Sequence, residues 1–148
     1  MPQSLHQVYG HIIFSTKDRA PLIDATIEPR LYAYLAGIVQ QLGGDPLIIN
    51  GVADHVHLLI RASKSVSDQD VMRDLKGSSS KWMGDQGFSD FKWQRGYGWF
   101  SISANDLPAA RAYIENQKSH HAKTTFQDEF RKFLNQYHIE FDERYLWD

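Results

Sequence analysis

Apolar and polar positions along this chain predict an alternation of strands and helices. The segment Val8-Tyr9-Gly10-His11-Ile12-Ile13-Phe14-Ser15-Thr16 is β-branched and aromatic, which predicts a strand. Between residues 24 and 42, Ile27, Leu31, Leu35, Ile38 and Leu42 recur at helical spacing, and Gly43-Gly44 stops that helix. Pro46 to Gly51 reads as a short strand and Ala53-Asp54 as a turn. His55 to Ala62 reads as a strand with Val56, Leu58 and Ile60 on one face and His55, His57 and Leu59 on the other. Ser67-Asp68 opens a second helix carrying Val71, Met72, Leu75 and Trp82. Gly84 to Arg95, rich in glycine and aromatics, predicts a loop, and Gly98 to Ala104 a fourth strand. Asn105 is placed to cap a third helix with Pro108 in its first turn, running to about His121. A fourth helix covers roughly Thr125 to Tyr137, and an acidic tail follows.

The order β-α-β-β-α-β predicts an α+β fold: a ferredoxin-like antiparallel sheet with helices on one face, plus C-terminal helices. Neither a repeat nor a linker divides the chain, so residues 1–148 read as one domain. In that topology the third strand lies inside the sheet. Val56, Leu58 and Ile60 pack against the helices, and His55 and His57 point from the opposite face, which such a sheet can leave open.

Composition narrows the chemistry. With 42% apolar and 23% charged residues the balance is that of a globular domain. The absence of cysteine excludes disulfides and thiolate metal sites and fits a reducing compartment. The first residues do not resemble a signal peptide, and no apolar run has the length of a membrane span, so a cytoplasmic protein is expected. The net charge of −2 argues mildly against nucleic acid. The average conceals a gradient, however. Arg61, Lys64, Arg73, Lys76, Lys81, Lys92 and Arg95 crowd the middle of the chain, whereas Glu140, Asp142, Glu143 and Asp148 fall in the tail.

His55-Val56-His57 sets two imidazoles on one side of a strand, where they can grip one ion together; imidazole suits Mn, Zn and other borderline metals. In a chain with seven histidines, His-x-His fits ordinary polar sheet residues equally well. Tyr113 and Gln117, four apart on the third predicted helix, share a face. The Gln117 oxygen can act as a third ligand, with the Tyr113 hydroxyl near the metal. A tyrosine beside Ile114 on an amphipathic helix is more commonly a core-edge residue. The stretch from Phe88 to Phe100 interleaves aromatics with Lys92 and Arg95, as single-strand binders do, and as strands that fill a core also do. Gly77-Ser78-Ser79-Ser80-Lys81 offers hydroxyls and a cation to phosphates, a composition also common at helix ends. His120-His121 can bind a metal or an anion; a solvated helix end is the ordinary reading.

In combination these segments resemble transposases of the insertion-sequence-200 type, the single-tyrosine branch of the HUH endonucleases, including the REP-associated tyrosine transposases. The matching blocks are Phe14 to Arg19, Asp54 to Leu59, Lys76 to Trp82, Trp93 to Ser101, Tyr113-Ile114-Glu115-Asn116-Gln117 and the ending Phe141 to Trp147. They follow the family order over nearly the whole chain. The resemblance implies that His55 and His57 hold a divalent cation, Mg²⁺ or Mn²⁺, with Gln117 completing the protein ligands. It implies that Tyr113 is the nucleophile. It also implies a homodimer, in which the tyrosine helix can complete the partner's site.

That reading gives a metal-dependent single-stranded DNA endonuclease and strand transferase working through a 5′-phosphotyrosine. It needs no ATP, and no Gly-x-x-x-x-Gly-Lys loop is present. Single-stranded or hairpin DNA is the expected partner, with Lys17, Arg19, Lys76, Lys81 and Arg95 as backbone contacts. Bound to DNA, the protein is expected at the nucleoid. Three other readings remain: a domesticated relative that binds DNA hairpins without transposition, a hydrolase using water with Tyr113 structural, and an RNA-binding module on the same scaffold.

Overall fold

The computed structural model describes residues 2–148. The elements β1 (Tyr9–Ser15), α1 (Glu28–Gln41), β2 (Asp45–Val52), β3 (His55–Arg61), α2 (Asp68–Asp85) and β4 (Gly98–Ile102) follow in that order. Every strand pairing is antiparallel, and the sheet order is β2-β3-β1-β4. This is the ferredoxin-like α+β arrangement that the sequence predicts. β3 is an inner strand, flanked by β1 and β2.

One sheet face carries Ile12, Phe14, Val56, Leu58 and Ile60, packed on Leu31, Leu35, Ile38 and Val39 of α1 and Val71, Met72, Leu75 and Met83 of α2. Burying each such side chain stabilises the fold by about 1.5–3 kcal/mol. Local chemistry fixes the helix starts. Pro29 stands in the first turn of α1. The Ser67 hydroxyl accepts from the Asp70 amide at 3.1 Å, and Asp68 and Asp70 complement the helix dipole of α2. α2 runs on to Asp85, so Gly84 is helical rather than the first loop residue.

The second sheet face departs from expectation. It is not open. A 3₁₀ turn (Ala104–Asp106) leads into α3 (Leu107–Glu115), followed by α4 (Gln117–His121) and α5 (Phe126–Gln136). Phe126, Phe130 and Leu134 of α5 bury Ile13 and Phe100 in a second core. The apolar stripe of α5 and the apolar positions of this sheet face are complementary, so each covers the other. Asn105 does not cap α3, because it lies inside the 3₁₀ turn and the cap position falls to Asp106. The expected third helix is two helices. Asn116 leaves helical geometry at φ −94°, ψ 17°. There the Asn50 amide of β2 donates to the Ile114 and Glu115 carbonyls at 2.9 and 3.2 Å, which satisfies the end of α3 from outside. No helix among the described residues is long and apolar enough to cross a membrane.

Two glycines give opposite expectations. A Cβ on Gly51 would lie 2.2 Å from the His55 carbonyl oxygen, in the tight β2–β3 hairpin, where only backbone could give way. A Cβ on Gly77 in α2 meets nothing within 4 Å. Gly77→Ala should raise the unfolding free energy by about 0.5–1 kcal/mol, and Gly51→Ala should lower it. Urea denaturation followed by circular dichroism checks both signs.

Candidate active site

The cross-strand register brings the polar residues of the second face together. His11 pairs with Leu59, Ile13 with His57 and Ser15 with His55 across β1 and β3, so these side chains share one face. Both His55 and His57 are fully buried, as is Gln117. They are not packed among apolar groups alone: the outer ring nitrogen of each histidine has a dedicated partner. His55 Nδ1 meets Asp54 Oδ1 at 2.7 Å, His57 Nδ1 meets His11 Nε2 at 2.7 Å, and His121 Nδ1 donates to the Thr124 carbonyl at 2.7 Å. The three Nε2 atoms turn inward toward the Glu129 carboxylate. Glu129 Oε1 lies 2.9 Å from His57 Nε2 and 3.5 Å from His55 Nε2, and Oε2 lies 3.1 Å from His121 Nε2. The donor atoms of His55, His57, His121 and Glu129 all fall within 4.8 Å of one another.

Proton placement follows from these partners. A carbonyl only accepts, so His121 Nδ1 carries hydrogen. Asp54 likewise calls for a hydrogen on His55 Nδ1. The two Nε2 atoms then face each other at 2.9 Å as lone pairs unless a cation, or an added proton, stands between them. Burial opposes charge on His55, yet its hydrogen bonds to the Asp54 and Glu129 carboxylates outweigh it and raise its pKa. Burial lowers His57 to about 4 and His11 to about 3, so both are neutral near pH 7. Burial also works against charge on Glu129, but hydrogen bonds from His121, His55 and His57 hold it ionised far below the usual carboxylate range. Outer nitrogens pinned and inner nitrogens convergent with a carboxylate is a donor set suited to a divalent transition metal.

Tyr113 belongs to the same cluster. Its hydroxyl donates to Glu129 Oε2 and lies 3.1 Å from His120 Nε2. Its ring centroid is 5.9 Å from that of His57. Burial and the Glu129 carboxylate raise its pKa, while the Gln117 side chain acts in the opposite direction. Gln117 Oε1 is buried with no hydrogen-bond partner, an orphaned acceptor that a cation would satisfy. Of the four expected site residues, His55, His57 and Tyr113 therefore meet around Glu129 within one chain, and Gln117 lies against Tyr113.

Three members stand out weakly or not at all in the sequence. His121, which reads either as a metal or anion ligand or, more ordinarily, as a solvated helix end, has a side chain only 6% exposed. Its place depends on the break at Asn116. Glu129 belongs to no motif, but it falls on the apolar stripe of Phe126, Phe130, Phe133 and Leu134, where a carboxylate demands partners. His11 sits amid the apolar run of β1, the same kind of signal.

The expected DNA contacts divide. Lys17 and Arg95 join Lys92 around a cleft of about 440 Å³ that Trp147 and Asp148 also line. Arg19 lies with its guanidinium 5.7 Å from the centre of the Trp147 ring. Lys81 is exposed on α2, outside that cleft. Lys76 is engaged internally: its ammonium donates to the Gln94, Arg95 and Gly96 carbonyls at 2.8, 2.8 and 2.5 Å. The aromatic stretch chiefly fills the core, since Phe91, Trp93 and Phe100 are buried and only Tyr97 of Phe88 to Phe100 is a large exposed apolar side chain. The serine run is structural as well. Ser79 is fully buried and accepts from the Trp93 indole at 2.9 Å.

The model of a protein family described as Transposase IS200 like matches residues 4–117. The ISDra2 transposase TnpA of Deinococcus radiodurans is 26% identical over 120 residues, 76% of this chain and 86% of that protein. A REP-associated tyrosine transposase bound to a REP hairpin superposes with a TM-score of 0.63 at 12% identity, over 84% of this chain and 74% of the other. A crystallised Deinococcus radiodurans R1 chain gives 0.62 at 24% identity, over 79% and 98%. At such identities the two structures speak for the fold.

The Lys76 clamp gives a prediction about the loop rather than the chemistry. Lys76→Met leaves the Gln94, Arg95 and Gly96 carbonyls without their shared donor, and should cost about 1–3 kcal/mol of stability. Urea midpoints of the two proteins measure it.

Proposed function

The chain belongs to the IS200-like transposase family, and from that premise we propose that it is a metal-dependent single-stranded DNA endonuclease and strand transferase with Tyr113 as nucleophile. One observation carries the reading. The Tyr113 hydroxyl and the His57 imidazole are bonded to the two oxygens of a single buried carboxylate, Glu129. The phenol is thus held beside the very group that draws the imidazoles together.

His55 and His57 would hold the divalent cation, with His121, Glu129 and the Gln117 oxygen as the further donors at hand. Three imidazoles favour Mn²⁺ over Mg²⁺, which prefers an oxygen environment. Bound there, the cation would act as a Lewis acid on a phosphate oxygen and neutralise Glu129. Asp54, His11 and the Thr124 carbonyl orient the three rings.

Tyr113 attacks phosphorus in line. Its oxygen forms the new bond, the bond from phosphorus to the 3′-oxygen breaks, and that oxygen takes a proton from water and departs as a hydroxyl. The phenol proton passes to His120 Nε2, which burial leaves neutral at pH 7 and whose side chain is 29% exposed, so it can hand the proton to solvent. Glu129 is the poorer acceptor, because three histidines favour its anion. The 5′-phosphotyrosine conserves the energy of the cut bond, and a 3′-hydroxyl from another end reverses the step. Two ends in process need two tyrosines, which a homodimer supplies. Single-stranded or hairpin DNA is the substrate, and Lys17, Lys92 and Arg95 are the cations grouped to meet its phosphates.

The test incubates the protein with a pool of labelled single-stranded hairpins and Mn²⁺. A denaturant-resistant protein–DNA adduct should form, and should vanish in Tyr113→Phe, in His57→Ala and in excess chelator. Cutting that survives Tyr113→Phe would make water the nucleophile and overturn the reading. Independently of activity, His11→Phe should weaken Mn²⁺ binding by about 10–100-fold, since it removes the partner that orients His57. Isothermal titration with the metal alone reads this.

A further inference from the structure

Beside Tyr113 a cleft of about 390 Å³ opens between α3 and α5, with His11 of β1 also on its lining. That volume lies in the range of about 300–1,000 Å³ typical of small-molecule sites, and nothing in the chemistry above uses it. Ring systems make its walls. The Phe133 ring stands at 89° to that of Tyr113 with centroids 5.6 Å apart, so the two form a corner. Phe133 and Tyr137 both stack on Phe100 beneath, at 24° and 28°. This underlying stack keeps the two half-buried rings in place whether or not anything covers them. Asp106, Gln136 and Lys132 complete the rim, all exposed. Neither Lys132 nor Gln136 makes a side-chain ion pair or hydrogen bond among the described residues, whereas most cations elsewhere on the helices do.

We propose that this cleft binds one nucleobase of the substrate strand: the base of the nucleotide that stays joined through its 5′-phosphate to Tyr113. The inference rests on the proposed chemistry for the position of the strand, and on the cleft itself for the ligand class. A planar heterocycle matches a ring-lined corner, because it can stack on one ring while presenting its edge to the other. Base edges carry both donors and acceptors, and the rim offers a carboxylate, an amide and an ammonium. The ammonium of Lys132 also suits the next phosphate along the strand. Continuity fixes the choice of nucleotide. After cleavage only the strand on the 5′-phosphate side remains attached to Tyr113, so its first nucleoside is tethered within one phosphodiester of the ring that forms the cleft wall. Holding this base would keep the covalent strand aligned while the leaving 3′-end is exchanged for another.

Two measurements test the proposal without requiring cleavage. In the first, the protein is irradiated with a thymidine hexamer in which one position carries 5-iododeoxyuridine, and the cross-linked peptide is mapped by mass spectrometry. Cross-links should fall on Phe133, Tyr137 or Tyr113; attachment confined to the Lys17–Arg95 cleft, or scattered over the surface, would overturn the site. In the second, fluorescence anisotropy compares the thymidine hexamer with an abasic hexamer of equal charge. Stacking of one base should favour the former by about tenfold to a hundredfold. Ala109→Trp, at an exposed position of α3 that lines the cleft, should abolish that preference while leaving the melting temperature nearly unchanged. Equal binding of the two hexamers to the unmodified protein refutes the proposal. A Tyr113 adduct formed without any base preference sinks the base site alone; a mapped base site without an adduct sinks the chemistry alone.

Discussion

A single buried carboxylate organises this molecule. Glu129 is 1% exposed, and an isolated anion at such a position would cost several kcal/mol. It persists because His57, His121, His120 and the Tyr113 hydroxyl surround it within bonding distance, and His55 stands just beyond. Those five groups come from three separate elements: β3, α4 and α3 all lean on one residue of α5. The demand runs both ways. The imidazoles gain a counter-charge that desolvation would otherwise make them lack, and α5 gains a fixed rotational setting, because the stripe that buries Phe126 and Phe130 must also deliver Glu129 to the histidines.

Much of the scaffold can be read directly from spacing. Alternation in His55 to Ala62 assigns opposite faces to Val56 and His57, and the paired strands obey it. Helical periodicity finds α1, α2 and α5, and the family resemblance of the sequence blocks implies that His55, His57, Tyr113 and Gln117 serve one site. What spacing misses is information carried between elements. The break at Asn116 is met by the Asn50 amide, sixty-odd residues distant in the chain, and nothing within Leu107 to His121 announces it. The role of His121 depends on that break. Closure of the second sheet face depends on a match between α5 and residues of β1 and β4, so it belongs to neither segment alone. His11 and Glu129 did leave a local trace, a titratable group inside an apolar pattern, and that trace can be read only by asking where its partner lies.

The charge pattern shows why a net value of −2 says little about a polyanionic ligand. Arg61, Arg73, Arg111, Lys118, Arg131 and Arg144 are matched with nearby carboxylates. Lys76 is occupied by three carbonyls. Among the cations that remain, Lys17, Lys92 and Arg95 gather at one cleft and Lys132 lines another, next to the candidate nucleophile, while Arg19, Arg30, Lys64, Lys81 and Lys123 line neither. The field that a strand of phosphates would meet is set by where these cations stand and by any metal in the histidine cluster, rather than by the sum over the chain.

The same reasoning explains why the tyrosine must be governed by its surroundings. In the arrangement seen here burial and the Glu129 anion both hold Tyr113 protonated, so the site as it stands restrains the candidate nucleophile of the proposed chemistry. Two features can reverse that restraint without rearranging the backbone. Positive charge among the inward-facing nitrogens offsets Glu129, and His120 lies ready to receive the proton at 3.1 Å. On the proposed chemistry, a site poised in this way would keep its phenol inert until cation and phosphate arrive together, and so would confine the reaction to the moment when a strand is already held.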